Sequence, residues 1–222
     1  MRKLLIVANL KSYKNENEAK NWLETFKKIN ELSLNPAQKE VIVCPSFTQL
    51  FSFSSYFSSN NINANLGAQN VSPFDEGAFT GEVNAKQIKD FATYVLIGHS
   101  ERRKNFGETE DMLAKKVQLS LDCGLNPIFL VQGKDNIIPQ GVKIVAYEPV
   151  SAIGTGNPDT PESADMVAGV IKMNRSELMV LYGGSVKSVN VKGFTERSNI
   201  DGVLVGGASL DAQEFIKIIE NA

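Results

Sequence analysis

The sequence predicts an α/β protein folded as a closed (β/α)8 barrel. Two observations carry this: eight short apolar runs recur along the 222 residues, and most are separated by amphipathic stretches of helical period. A third, the lack of any linker, composition break or low-complexity segment, makes residues 1–222 a single domain. Strand count alone leaves an open doubly wound sheet as the alternative.

The strand candidates, in order, are Lys3 to Ala8, Glu40 to Val43, Ile62 to Leu66, Tyr94 to Ile97, Pro127 to Val131, Lys143 to Tyr147, Leu178 to Leu181 and Gly202 to Val205. Each is short and nearly continuously apolar, as a parallel strand covered on both faces must be. Between them, Ala19, Trp22, Leu23, Phe26 and Ile29 recur with helical spacing, as do Met112, Leu113, Val117 and Leu121. Asn15 or Asn17 caps the first helix, Thr160 with Pro161 starts the helix after strand six, and Asp211 with Glu214 opens the last in a capping-box pattern. One connection breaks the rhythm. Only eleven residues, Gln132 to Val142, join strands five and six, and they contain Gly133, Pro139 and Gly141. A helical crossover usually needs a dozen residues or more, so the helix after strand five is expected to be missing or reduced to a turn.

Composition limits the function. Twenty-three basic and twenty-five acidic residues leave a formal charge of -2, which argues against general nucleic-acid or membrane-surface binding. An anionic ligand must then be held locally. Cys44 and Cys123 are too few and too unpatterned for a disulfide framework or a zinc site, which fits a reducing cytoplasm. No segment has the apolar length that spans a bilayer.

In a β/α barrel the active site forms at the C-terminal ends of the strands. Strand one is followed by Asn9 and Lys11, and strand four by Gly98, His99, Ser100 and Glu101. Glu148 follows strand six, Gly183, Gly184 and Ser185 follow strand seven, and Gly206 and Gly207 follow strand eight. His99 is the only histidine. A lone histidine is more often a packed or surface residue, but at a strand end opening a helix it meets N–H dipoles that favour a neutral, hydrogen-bond-donating ring. Glu148 reads either as a buried structural carboxylate or as a base, since partial desolvation would raise its proton affinity. Lys11 reads either as a solvated lysine or as a charge stabilising an anionic substrate and an enediolate. The paired glycines read as turns, or as a phosphate cradle where backbone N–H groups approach oxygens closely. The glycine segment Ile153 to Gly156 lacks a dinucleotide-binding spacing and reads better as a lid that excludes water.

Six motifs in order resemble one family, triosephosphate isomerase. They are ANLKSY at 8–13, GAQNVSPFDEGAFTGE at 67–82, IGHSERR at 97–103, YEPVSAIGTG at 147–156, YGGSV at 182–186 and DGVLVGGASL at 201–210. The resemblance covers nearly the whole chain and implies a TIM barrel that interconverts dihydroxyacetone phosphate and D-glyceraldehyde 3-phosphate in glycolysis and gluconeogenesis, with no cofactor and no metal. It implies Glu148 as base, His99 as neutral electrophile and Lys11 as electrostatic clamp. Asn9, Gly154, Ser185, Gly206 and Gly207 are similar to the substrate-binding positions. Glu101, with Ser100 beside it, resembles a supporting acidic residue, and the lid would be residues 149–158. Ser151 stands where the family usually has a hinge tryptophan, and Asn157, before Pro158, where it commonly has a lysine. The segment 67–82, with Thr80, resembles the loop that docks into a neighbouring subunit's site, which implies a homodimer. The shortened connection after strand five could add a flank for tetramer formation. Two other readings stay open, another phosphate-binding barrel isomerase and a catalytically silent barrel. Neither accounts for Lys11, His99 and Glu148 together.

Overall fold

The computed structural model describes residues 3–32, 35, 37–149, 159–173 and 175–222. Among them eight strands close into one parallel barrel in sequence order, β1 (Leu4–Asn9), β2 (Lys39–Cys44), β3 (Asn65–Ala68), β4 (Tyr94–Ile97), β5 (Asn126–Val131), β6 (Ile144–Tyr147), β7 (Met179–Tyr182) and β8 (Gly202–Val205). The seam closes where β8 pairs with β1, Leu5 opposite Gly202 through Ala8 opposite Val205. Helices α1 (Glu16–Phe26), α2 (Phe47–Ser59) and α3 (Ala85–Lys89) follow the first three strands. Both α4 (Ser100–Phe106) and α5 (Glu110–Asp122) follow β4, and α6 (Pro161–Met173), α7 (Val191–Thr195) and α8 (Ala212–Asn221) follow the last three.

The period of two along each strand sorts side chains into two cores. Leu5, Val7, Ile42, Cys44, Leu96, Ile128, Leu130, Ile144, Ala146, Leu181 and Leu204 form one buried cluster, the filling of the barrel. Their neighbours, such as Ile6, Val95, Phe129 and Val145, join a second cluster with the inward faces of the helices. On one flank of that outer layer Trp22 stacks on Phe26, and Phe26 packs against Phe57 and Phe215. The Trp22 indole N–H donates to the Ser209 carbonyl at 2.9 Å and ties α1 to the turn after β8.

Most elements fall where the residue pattern puts them. Asn15, not Asn17, caps α1: its side chain accepts the Glu18 N–H, and Glu18 accepts the Asn15 N–H. Thr160 accepts the Ser163 N–H at the start of α6. Residues 132–143 form turns and no helix, and Val142 and Ile138 cover the outer face there. Three expectations need correction. The third strand is Asn65–Ala68, not Ile62 to Leu66; Ile62 is buried before the strand, its N–H bound to the Phe57 carbonyl at the end of α2. Burial alone made Ile62 look like strand. The expected loop 67–82 therefore loses Gly67 and Ala68 to β3. At α8, Asp211 caps the Gln213 and Glu214 N–H groups, but the Glu214 carboxylate accepts from Ser188 N–H, not from the cap backbone. Among the described residues no helix is long and apolar enough to cross a membrane.

Candidate functional site

The inward parity of the strands builds the floor of the site. In β1, residues 5 and 7 point into the barrel, and Asn9 continues that series at the C-terminal end. In β6, residues 144 and 146 point inward, and Glu148 is next in phase. Asn9, Lys11, His99, Glu148, Ser185, Gly206 and Gly207 all line one cavity of about 690 Å³ at this end of the barrel. The side chains expected from the strand ends therefore do meet.

Lys11 sits in an unusual backbone conformation, φ 51°, in the left-handed region that costs a non-glycine residue energy. Neighbouring side chains hold it there. Asn9 Oδ1 accepts the Lys11 N–H at 3.0 Å, and the Gln69 amide donates to the carbonyls of both Lys11 and Cys44 at 2.9 Å. The Lys11 ammonium lies 2.5 Å from Glu101 Oε1. A lysine anchored at both its peptide groups and at its head is not a freely solvated one.

His99 is buried and caps α4, its Nδ1 accepting the Glu101 N–H at 3.2 Å. An acceptor at Nδ1 leaves the proton on Nε2, which lies 3.1 Å from Glu148 Oε1. The other carboxylate oxygen, Oε2, accepts the Ser100 N–H at 3.0 Å. Glu148 is 2% exposed. Burial pushes its carboxyl above the usual carboxylate range, against the opposing pull of His99, the Ser100 N–H and Lys11. Chemically, this is a desolvated carboxylate beside an imidazole N–H and an ammonium.

Two glycines make room for this geometry. A Cβ on Gly183 would lie 3.0 Å from Glu148 Cγ, and one on Gly206 would lie 3.2 Å from Lys11 Cε. Of the remaining expected positions, Glu101 and Ser100 stand beside the site, as described. Thr80 is exposed on the connection after β3 and does not line the cavity of its own chain. Gly154, Ser151, Asn157 and the expected lid lie outside the described residues, apart from Pro149. Among the described residues no group of three His, Cys, Asp or Glu side chains is placed to hold a metal ion.

Residue reasoning passed over three groups. Gln69 directly follows β3, at a strand-end position that a strand ending at Leu66 does not give it. The Tyr182 hydroxyl accepts the Asp159 N–H at 2.8 Å, stacked on Phe194 with ring centroids 4.0 Å apart. Nothing in a period of two distinguishes this tyrosine from a core aromatic. Lys116, the third, is fully buried between Glu108 and Asn70, and Arg102 also binds Glu108, at 2.5 Å. Its place in the apolar stripe of α5 hid it.

A closed parallel barrel with a carboxylate, an imidazole and an amine converging at its C-terminal mouth has the form of the (β/α)8-barrel enzymes, whose sites are built from strand-end residues at that face. Within that class, the model of the triosephosphate isomerase family matches residues 4–222. The chain is 39% identical to the triosephosphate isomerase of Dictyoglomus thermophilum over 254 aligned positions that cover both chains completely. It is 38% identical to that of Trichodesmium erythraeum, with 99% of each chain covered, and 36% identical to that of Aquifex aeolicus, with 97% and 98% covered. The chain belongs to the triosephosphate isomerase family.

Proposed function

We propose that this chain interconverts dihydroxyacetone phosphate and D-glyceraldehyde 3-phosphate through an enediolate, with residues 1–222 acting as one barrel domain in the cytoplasm. The observation that carries the reading is the 3.1 Å contact between His99 Nε2 and Glu148 Oε1, made beside Lys11 in a single cavity. Family membership supplies the substrate class.

The chemistry follows from the positions. When a triose phosphate enters, the Nε2–H of His99 turns from Glu148 to the substrate carbonyl and polarises it. Glu148 takes a proton from the adjacent carbon, and the electron pair moves into the carbonyl to give the enediolate. Lys11 and the His99 N–H face the developing negative charge; one well-placed donor of this kind is worth about 3 kcal/mol of barrier. His99 moves protons between the two oxygens, and Glu148 returns its proton to the neighbouring carbon. Ser185, Gly206 and Gly207 hold the phosphate. Asn9 serves by fixing Lys11, and Glu101 by orienting its ammonium. The segment 149–158, with Gly154, closes over the phosphate.

We further propose a homodimer in which the connection carrying Thr80 docks beside the partner's site. The exposed stacked pair Phe74 and Phe79, ring centroids 4.3 Å apart, supports this, because such a pair is costly to leave in water.

A coupled assay with glyceraldehyde 3-phosphate is expected to show turnover, and Glu148→Gln to lower kcat about a thousandfold with the fold intact by circular dichroism. Turnover preserved in the variant would overturn the assignment of the base. No turnover by the unmodified chain would overturn the isomerase reading.

A further inference from the structure

The cavity has an electrostatic problem. Its charged lining groups are Lys11, Lys187, Glu148, Asp211 and Glu214, so carboxylates outnumber ammonium groups, and the chain as a whole carries -2. A phosphate monoester with a charge near -2 is not attracted by such a total. The segment 149–158 contains no charged residue that could add a cation.

The partners of these groups decide where attraction can come from. Lys11 is matched by Glu101 at 2.5 Å. Asp211 is engaged by the Gln213 and Glu214 N–H groups, and Glu214 by the Ser188 N–H. Among the described residues the Lys187 ammonium has neither an ion pair nor a side-chain hydrogen bond, and the residue is exposed at the rim.

Its backbone, by contrast, is held firmly. Asn190 Oδ1 accepts the Lys187 N–H at 2.8 Å, the Asn190 amide donates to the Ser185 carbonyl at 3.1 Å, and Val186 between them is buried. The Lys187 carbonyl accepts the Asn190 and Val191 N–H groups. A fixed stretch of backbone two residues from Ser185 carries an exposed cation on a four-carbon tether, so the head can sweep the mouth where phosphate enters.

We propose that Lys187 is the capture residue of this site, an ammonium that draws the phosphate dianion to the rim and hands it to Ser185, Gly206 and Gly207. This deepens the isomerase reading and rests on it for the identity of the substrate. A residue that acts by charge at the rim changes association and its salt dependence, whereas one that shapes the loop does not.

The test measures the affinity of 2-phosphoglycolate by calorimetry for the unmodified chain and for Lys187→Arg, Lys187→Ala and Lys187→Glu, each from low salt to about 0.5 M, where the screening length falls to a few ångström. At low salt, Arg is expected to bind like the parent, Ala about three- to tenfold more weakly, and Glu more weakly still, with the differences closing as salt rises. Equal affinities in the series, or a gap that salt does not narrow, would overturn the proposal. Because binding is read without turnover, failure of the isomerase reading registers separately, as binding by an unmodified chain that gives no product.

Discussion

At the scale of single residues, the site depends on one carboxyl kept out of water. Glu148 accepts the Ser100 N–H on one oxygen and has His99 Nε2 3.1 Å from the other, yet burial still raises its proton affinity. The active base must be ionised, so activity is present above its pKa and is lost as pH falls through it. With that pKa raised, the acid limb of kcat/KM is expected above the ordinary glutamate value of about 4.3. A pH–rate profile measures this directly, and a limb at or below the ordinary value would contradict the burial argument. Much of this was legible in the chain, because Asn9 and Glu148 fall in phase with the inward residues of their strands. The tautomer of His99 was not, since it follows from the Glu101 N–H turning toward Nδ1 at the first turn of α4.

At the scale of elements, the closure of the barrel rests on a glycine. Gly202 has φ 146°, and a Cβ there would lie 1.9 Å from the Leu5 carbonyl oxygen on the neighbouring strand. Both the conformation and the space exclude a side chain. Gly202→Ala is expected to separate β8 from β1 and destabilise the fold by about 3 kcal/mol, measured by urea unfolding. Gly133→Ala, where nothing lies within 4 Å of the added carbon and φ is not in the left-handed region, should stay close to the parent. Equal midpoints for the two variants would remove the argument. The same scale explains which boundaries pattern could find. Tyr94–Ile97 and Gly202–Val205 match their apolar runs, flanked by glycine or a charged residue that stops the strand. The third strand does not, because Ile62 is buried as part of the turn after α2, and burial without hydrogen-bond pairing imitates a strand.

At the scale of the molecule, the connection after β3 joins assembly to the site. Its base is closed by the Ser72 N–H to the Val83 carbonyl at 2.9 Å, and Gln69 and Asn70 reach from its start to Lys11 and Lys116. Its tip shows Phe74 and Phe79 to solvent at 45% and 41% exposure. Light scattering over a range of concentrations is expected to give a dimer. Replacing Phe74 and Phe79 together by serine is expected to shift it toward monomer and to lower turnover, since the loop that would weaken is tied to Lys11. A parent chain that scatters as a monomer at all concentrations would refute the assembly.

Order along the chain was enough for the architecture and for the identity of the chemical groups. Strand period, helix period and the rule that barrel sites lie at strand ends are local facts, and Lys11, His99 and Glu148 each satisfy them separately. Their working relation is not local. The left-handed turn at Lys11, held by Gln69 from 58 residues away, and the 3.1 Å contact of His99 with Glu148 both arise from which groups the closed barrel brings face to face. Hydrogen bonds and desolvation act over a few ångström in space whatever the separation along the chain, so residue types announced the mouth of the barrel, and barrel closure set the distances within it.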